Sequence, residues 1–164
     1  MLFLRPAVPA DAARLAELHI QAWHETYTGL VSPDVIAGFD VDERRAMWTR
    51  ALGQPTTQVD GVTVGTVVAE EDGQLVGFAS VGPSRGEDAV RALELWSIYV
   101  LAQTYGTGVG PALLDAALGD APAQVWLAAD NARATAFYAK HGFVEDGVRS
   151  LYEVWNLPEK RMVR

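Results

Sequence analysis

The chain has 164 residues, of which 49% are hydrophobic, and this size and apolar content predict one folded domain over residues 1–164. Its 13 Lys and Arg residues are scattered among 21 Asp and Glu residues, and the net charge of −8 argues against binding to a nucleic-acid backbone. The absence of cysteine excludes disulfides, zinc sites with thiolate ligands and thiol nucleophiles.

No stretch approaches the roughly 18 uninterrupted apolar residues that a membrane span requires. The N-terminal residues also lack a positively charged start followed by a long apolar run, which a secretory signal would show. We therefore expect a cytoplasmic protein that binds neither membranes nor nucleic acid.

Helical patterns follow a short strand that is predicted at residues 3–8. Residues 11–27 carry apolar side chains at helical spacing and predict the first helix. Ser32 is suited to the N-cap and Pro33 to the first turn of a second helix. An amphipathic third helix is predicted over residues 42–52.

Strand patterns dominate the middle of the chain. Two β-rich runs within residues 64–82 are separated by Asp72-Gly73, a dipeptide that tolerates the positive φ angles of a tight hairpin. Residues 92–101 form the strongest strand pattern, and residues 123–130 form another. A helix at 111–120 lies between these two strands, so the segment predicts a parallel crossover.

The last third continues with a helix over residues 131–142, which Gly142 ends, and with strands over 143–149 and 159–164. An antiparallel hairpin followed by a strand–helix–strand unit is typical of a mixed sheet. The fold class predicted from the pattern is therefore α/β with a mixed sheet.

Three glycines stand at alternate positions just before the predicted crossover helix: Gly106, Gly108 and Gly110. Glycine lets main-chain N–H groups approach a ligand closely, and a helix N-terminus adds partial positive charge, so this stretch predicts a phosphate site. A P-loop would need Lys and Ser or Thr where Pro111-Ala112 stand. The dinucleotide motif would need a glycine at position 111, so both familiar alternatives disagree with the spacing.

The two central motifs resemble those of the GNAT superfamily of N-acetyltransferases. The resemblance covers about residues 92–143: Ile98-Tyr99-Val100 precede the glycine stretch, and the pattern N-x-x-A-x-x-F-Y-x-x-x-G-F is intact from Asn131 to Phe143. It implies the GNAT fold, with an antiparallel N-terminal half of the sheet and a βαβ unit. It also implies acetyl-CoA as co-substrate, no metal, and a homodimer.

The glycine stretch departs from the family pattern in its side chains. Tyr105 stands where the family has Arg or Gln, and Thr107 stands where a basic residue is frequent, although a register that begins at Gln103 restores a match ending at Gly108. The loop itself therefore lacks a cation. We expect the backbone amides of residues 106–110 to make most of the contacts with the pyrophosphate.

The resemblance implies roles for specific residues in binding acetyl-CoA. Main-chain groups of residues 98–100 would hold the thioester and pantetheine, Asn131 would contact pantetheine, and Tyr138 would protonate the CoA sulfur. Asn131, Ala134 and Tyr138 are spaced to share one helix face, whereas Phe137 suits the core. The full set is Ile98, Tyr99, Val100, Tyr105, Gly106, Thr107, Gly108, Val109, Gly110, Pro111, Asn131, Ala134, Phe137 and Tyr138.

Two candidates exist for the base that removes the amine proton. Similar enzymes often use a glutamate in the strand that contains Glu94, directly or through water, although a solvated glutamate at a strand start is the alternative interpretation. In the absence of a bulge, alternation would place Trp96, Ile98 and Val100 on the same face as Glu94. His24 is the rival base.

The acceptor is predicted to be a small primary amine that contacts Trp23, His24, Tyr27 and Trp96. Because the chain has no cysteine, a thiol acetyl-enzyme is impossible, and the amine is expected to attack acetyl-CoA directly in a ternary complex. A protein or peptide acceptor is the alternative within the enzyme class. An acyl-CoA-binding module without catalysis is the alternative from another class.

Overall fold

The computed structural model describes all residues from Met1 to Arg164. The elements, in chain order, are β1 (Leu2–Pro6), α1 (Ala12–Tyr27), α2 (Pro33–Ala37), α3 (Val41–Leu52), β2 (Thr57–Val59), β3 (Val62–Glu71), β4 (Gln74–Pro83), β5 (Leu93–Val100), α4 (Val109–Leu118), β6 (Ala123–Ala128), α5 (Ala132–Lys140), β7 (Val144–Tyr152) and β8 (Leu157–Val163). This order confirms the predicted elements, except that the three-residue strand β2 was not predicted.

The strands form one mixed sheet in the order β1-β3-β4-β5-β6-β8-β7, and β2 pairs with β3. All neighbouring strands are antiparallel except β5 and β6, which are parallel and are joined through α4. The predicted mixed sheet and crossover are therefore confirmed. At the predicted hairpin, Asp72 and Gly73 have φ angles of 49° and 82°, as a tight turn between twisted strands requires.

Each face of the sheet has its own hydrophobic core. Leu113 and Leu114 of α4 and Tyr138 of α5 belong to the core on one face. On the other face, Leu15 of α1 and Trp48 of α3 belong to the second core. None of the helices combines the length and the apolar content that crossing a bilayer requires.

The strand β5 contains a bulge that changes the direction of its side chains. Val81 of β4 is paired with Leu95, whereas the residue before it, Ser80, is paired with Ser97, so Trp96 is an extra residue. A bulge of this kind interrupts the regular alternation of side chains between the two faces of a strand.

The prediction that Glu94 shares a face with Ile98 and Val100 is therefore wrong. Ile98 and Val100 pack against the core beneath α4, as Leu93 and Leu95 do on the other side of the bulge. Glu94, between Leu93 and Leu95, points to the opposite face of the sheet.

The strands β5 and β6 separate after a short paired segment. Their pairing runs from Leu93 with Ala123 to Leu95 with Val125. Beyond that point β5 continues to Val100 and β6 continues to Ala128 without pairing with each other. This splay leaves main-chain groups of both strands available along the gap, including those of residues 98–100, which the resemblance assigned to binding the thioester and pantetheine.

An unusual buried histidine lies under the aromatic part of the second core. The ring of His19 lies 4.5 Å from that of Trp23, 4.9 Å from that of Phe78 and 5.2 Å from that of Tyr99. Its Nδ1 atom is buried without a hydrogen-bond partner. Burial, together with the charge of Arg44, lowers the pKa of His19 from 6.5 to about 3.

We expect the substitution His19→Phe to remove much of the sensitivity of this fold to mild acid. Because the pKa of His19 is lowered in the folded state, the unfolded chain binds a proton first as the pH falls below 6.5, and stability is lost between that pH and about 3. One such proton corresponds to about 1.4 kcal/mol per pH unit. Urea unfolding at pH 7, 6 and 5 should show this slope in the parent protein and a shallower slope in the variant. The same substitution at the exposed His24 is the control, and equal slopes in parent and His19→Phe would contradict the assignment.

Candidate active site

The glycine stretch forms a loop whose main chain is open toward solvent. Gly106 and Gly108 have φ angles of 78° and 95°, and a Cβ atom on either would meet nothing within 4 Å. Gly108 is the N-cap of α4. The N–H groups of Gly106, Gly108, Val109 and Gly110 donate to no acceptor within the protein. Converging free N–H groups at a helix N-terminus can bind an anion such as a phosphate.

Gly110, the third glycine, is needed for close packing of two helices and not for a left-handed backbone. Gly110 is helical, and a Cβ atom there would lie 3.3 Å from the ring of Phe137. Its small size therefore lets the first turn of α4 approach α5. Two of the glycines supply the left-handed backbone and the third supplies the packing, and the phosphate site over all three stays a prediction. Phe137 packs against the main core, as expected.

A cation lies beside the loop although the loop itself has none. The guanidinium of Arg133, in the first turn of α5, stacks at 3.8 Å from the ring centroid of Tyr105. Arg133 was not predicted from the sequence because it is at an unspecified position of the second motif. The arrangement gives the N–H groups at the start of α4 a positively charged neighbour, and Tyr105 holds this charge in place.

Tyr138 is buried on the helix that follows β6. Its residue surface is 6% exposed, and its hydroxyl group makes no hydrogen bond within the protein. Burial raises the pKa of Tyr138 above its ordinary value, and the nearby phenol of Tyr99 raises it further. The phenol is therefore protonated throughout the physiological pH range and has a proton to donate.

Asn131 has a structural role that the predicted helix face did not include. It is the N-cap of α5, and its Oδ1 atom accepts a hydrogen bond of 3.0 Å from the N–H of Ala134. Asn131 thus precedes the helix, and its side-chain NH₂ group makes no hydrogen bond within the protein and is free for a ligand. A cap of this kind fixes the start of α5 and thereby the position of Tyr138.

Glu94 is a buried carboxylate whose two oxygens are both occupied. Oε1 accepts hydrogen bonds from Nη2 and Nε of Arg85 at 2.6 and 2.9 Å. Oε2 accepts from the main-chain N–H of Arg85 at 3.2 Å and from Nε2 of Gln124 at 3.1 Å. An incoming ammonium group would have to displace one of these donors. The role of Glu94 as base stays a prediction, and this geometry does not favour it.

An aromatic wall lies on the face of the sheet opposite α4, over the splayed strands. Trp155, in the short turn between β7 and β8, reaches across to α1, where its ring is 4.8 Å from that of Trp23 and 5.1 Å from that of Tyr27. Phe39 lies 5.3 Å from the same indole. The hydroxyl groups of Tyr27 and Tyr99 are 2.8 Å apart. These rings support one another, and those of Trp23, Tyr27, Tyr99 and Trp155 line a cleft along β5.

Three of the four predicted acceptor residues line this cleft, namely Trp23, Tyr27 and Trp96. His24 does not: its side chain is exposed and its ring lies 5.3 Å from that of Phe39. Two further residues of the cleft, Trp155 and Glu159, were missed. Both belong to a segment near the C-terminus. Their place in the cleft follows from contacts with α1 and β6, which no local sequence pattern predicts.

Comparison with known proteins assigns most of the chain to one family. The model of a family described as "Acetyltransferase (GNAT) family" matches residues 16–143. An uncharacterized N-acetyltransferase of Mycobacterium tuberculosis is 33% identical over 147 residues, which cover 85% of this chain and 87% of that protein.

Solved structures agree with these sequence matches. A ribosomal-protein-alanine N-acetyltransferase from Brucella melitensis is 26% identical and covers 99% of this chain and 98% of its own, with a TM-score of 0.69. The PaiA N-acetyltransferase from Thermoplasma acidophilum, solved in complex with coenzyme A, has a TM-score of 0.70 at 16% identity and covers 98% of each chain. The second likeness concerns the fold alone.

Proposed function

This chain belongs to the GNAT family of acetyltransferases, and we propose that it transfers the acetyl group of acetyl-CoA to a primary amine of a small molecule. The family and the fold class predicted from the sequence are confirmed. We propose the kind of acceptor, the formation of a ternary complex and the roles of individual residues.

The donor side of the site is suited to coenzyme A. The free N–H groups of Gly106, Gly108 and Val109 can accept the pyrophosphate at the positive end of α4, with Arg133 as a neighbouring cation. The unpaired edge of β5 beyond Leu95 can hydrogen-bond the amides of the pantetheine arm. Both features come from the βαβ unit, so the same unit would contact the pyrophosphate and the pantetheine arm of the co-substrate.

The transfer needs a donor of a proton to sulfur and no covalent acyl-enzyme. Without cysteine, the amine nitrogen itself attacks the thioester carbon while both substrates are bound. The C–N bond forms, the C–S bond breaks, and the electron pair leaves on sulfur. Tyr138 is the group that we assign to protonate this thiolate, because its phenol is protonated and unpaired within the protein.

The observation that carries the small-molecule proposal is the contact of Trp155 with α1. This contact closes the cleft on one side with aromatic rings, whereas an extended polypeptide would need an open groove. Arg44 already stacks on Trp23 at 4.8 Å, so the rings whose π-faces can attract an acceptor that arrives as an ammonium ion are those of Tyr27 and Trp155.

A peptide amine is the second candidate acceptor. The observation that favours it is the 26% identity with the Brucella protein, which is named as an acetyltransferase for alanine of a ribosomal protein. An N-terminal alanine carries a small ammonium group. A peptide acceptor therefore differs from a small amine mainly in the polypeptide that follows this first residue.

We expect release of the CoA thiol from acetyl-CoA to depend on a small amine. The test follows thiol release with a panel of simple amines, amino acids, aminoglycosides and peptides that begin with alanine. Higher kcat/KM for small amines supports the proposal, and preference for the peptides moves the function to the second candidate. Tight binding of acetyl-CoA without thiol release from any acceptor would contradict transfer and indicate an acyl-CoA-binding module.

A further inference from the structure

A carboxylate without a partner lies in the cleft, on the strand next to the splayed pair. Glu159 of β8 is paired through its main chain with Ala128 of β6 on one side and with Ser150 of β7 on the other. Its side chain is half-buried, lines the cleft, and makes neither a hydrogen bond nor an ion pair. A half-buried glutamate is ordinarily paired, so its free oxygens need an explanation.

The other acids within the strands β5, β7 and β8 are all paired. Glu94 is held by Arg85 and Gln124. Glu145 accepts a hydrogen bond of 2.6 Å from Lys160, on the opposite face of β8. Asp146 accepts one of 2.7 Å from Arg161. Glu159 is therefore the one acid of these three strands whose oxygens are free to bind a cation.

The groups around Glu159 explain its electrostatic state. Burial raises the pKa of Glu159, the negative charge of Glu94 raises it further, and the positive charge of Arg85 lowers it. In return, the charge of Glu159 raises the pKa of the phenols of Tyr27 and Tyr99, which places it close to the aromatic wall. The neighbouring groups on the other strands are Trp126 and Ala128 of β6, Ser150 and Tyr152 of β7, and Arg161 of β8, whose guanidinium is held by Asp88 and Asp146.

We infer that Glu159 binds the ammonium group of the acceptor and takes a proton from it, so that a neutral amine faces the thioester. The inference rests on the proposed function and adds a residue to it. The cleft joins Glu159 to Ser97 and Tyr99, which lie on the splayed part of β5. An amine between Glu159 and this edge lies beside the proposed position of the pantetheine.

The proton balance of this step is complete. One proton passes from the ammonium to the Glu159 carboxylate, and the neutral amine then attacks the acetyl carbon. Tyr138 gives its proton to the departing sulfur, and the acetylated nitrogen returns one proton to the Tyr138 phenolate. Glu159 releases the first proton to water, so the net products are the amide, CoA thiol and one proton. A raised pKa suits an acid–base group that works nearer to neutral pH.

The test compares Glu159→Gln with Glu17→Gln, which removes the same charge from an exposed position of α1 outside the cleft. We expect Glu159→Gln to lower kcat/KM at pH 7 by about tenfold or more, because a base is lost. The loss should grow at lower pH, where little free amine exists, and should shrink above the pKa of the amine. Acetyl-CoA affinity, measured by calorimetry, should not change. Glu17→Gln should behave as the parent protein.

Three further measurements separate the outcomes. A pH profile of Glu159→Gln parallel to that of the parent overturns the inference, and loss of the acidic limb in Glu94→Gln alone transfers the role to Glu94. Glu159→Asp keeps a carboxylate and should recover part of the activity. If the parent protein releases no thiol with any amine, the proposed function fails. Calorimetry of amine binding to the parent protein and to Glu159→Gln, both with CoA present, then decides whether Glu159 binds an ammonium.

The unfolding temperature of Glu159→Gln distinguishes a role of Glu159 in catalysis from a structural role. Because the pKa of Glu159 is raised in the folded state, its charged form opposes folding, and this cost is present above that pKa and absent at lower pH. Glu159→Gln should therefore unfold at the same or a higher temperature than the parent protein at pH 7. A lower unfolding temperature together with proportionally lower activity would make Glu159 a structural residue and overturn the inference.

Discussion

Replacement of Tyr138 by Phe is expected to lower kcat by about 10² to 10⁴, the usual contribution of general acid catalysis. The substitution keeps the ring, which packs 5.5 Å from that of Phe143, and removes only the hydroxyl group. That hydroxyl makes no hydrogen bond within the protein, so its loss breaks no internal contact. Stopped-flow measurement of thiol release under saturating substrates gives the rate of the chemical step.

Two controls decide how this result is interpreted. The affinity for acetyl-CoA and the unfolding temperature should both stay close to those of the parent protein, because the hydroxyl is needed mainly as charge develops on sulfur. A large loss of acetyl-CoA affinity would show that the phenol binds the ground state. Turnover close to that of the parent would mean that water protonates the thiolate, and Tyr138 would lose its catalytic role.

Replacement of Gly108 by Val is expected to weaken acetyl-CoA binding by about a hundredfold, or about 2.7 kcal/mol. The φ angle of 95° at this position is strained for a branched L-residue. Relief of that strain would turn the free N–H groups at the start of α4 away from a common point. Calorimetric titration with acetyl-CoA measures the effect.

The chain offers a matched control for the backbone strain of this substitution. Gly61, in the turn between β2 and β3, also has a positive φ angle, 79°, and open surroundings for a Cβ atom. Gly61→Val should cost similar stability and leave acetyl-CoA affinity unchanged. Equal affinities for both variants and the parent protein would refute the phosphate site at the glycine loop.

The sequence predicted the elements that depend on local signals. Asp72-Gly73 encode a hairpin through their own φ preferences, and Ser32 caps its helix by accepting a hydrogen bond from Val35. The proposed donor site could also be predicted, because Gly106, Gly108 and Tyr138 lie within two continuous motifs. Arg133 was missed, since its stacking on Tyr105 joins both motifs in space.

The acceptor side was less predictable because it is assembled from distant parts of the chain. The extra residue at Trp96 follows from the pairing of β5 with β4, which a pattern in β5 alone does not contain. Trp155 becomes part of the cleft through its contact with Trp23, which is more than a hundred positions away in the chain. Glu159 has no unusual neighbours in sequence, and its significance is that nothing in the fold pairs with it. Glu94 could be proposed as a candidate from its position in the strand. The four hydrogen bonds that Arg85 and Gln124 donate to it could not be predicted.

The separation of β5 from β6 gives the sheet a strand edge in its interior. Such an edge is a template onto which another polypeptide can add, and therefore a starting point for aggregation. Pantetheine in the proposed position would cover this edge, and a ligand that binds only the folded state also stabilises that state. Acetyl-CoA would then act on the folded state as well as on the reaction, and its binding should raise the free energy of unfolding as its concentration increases.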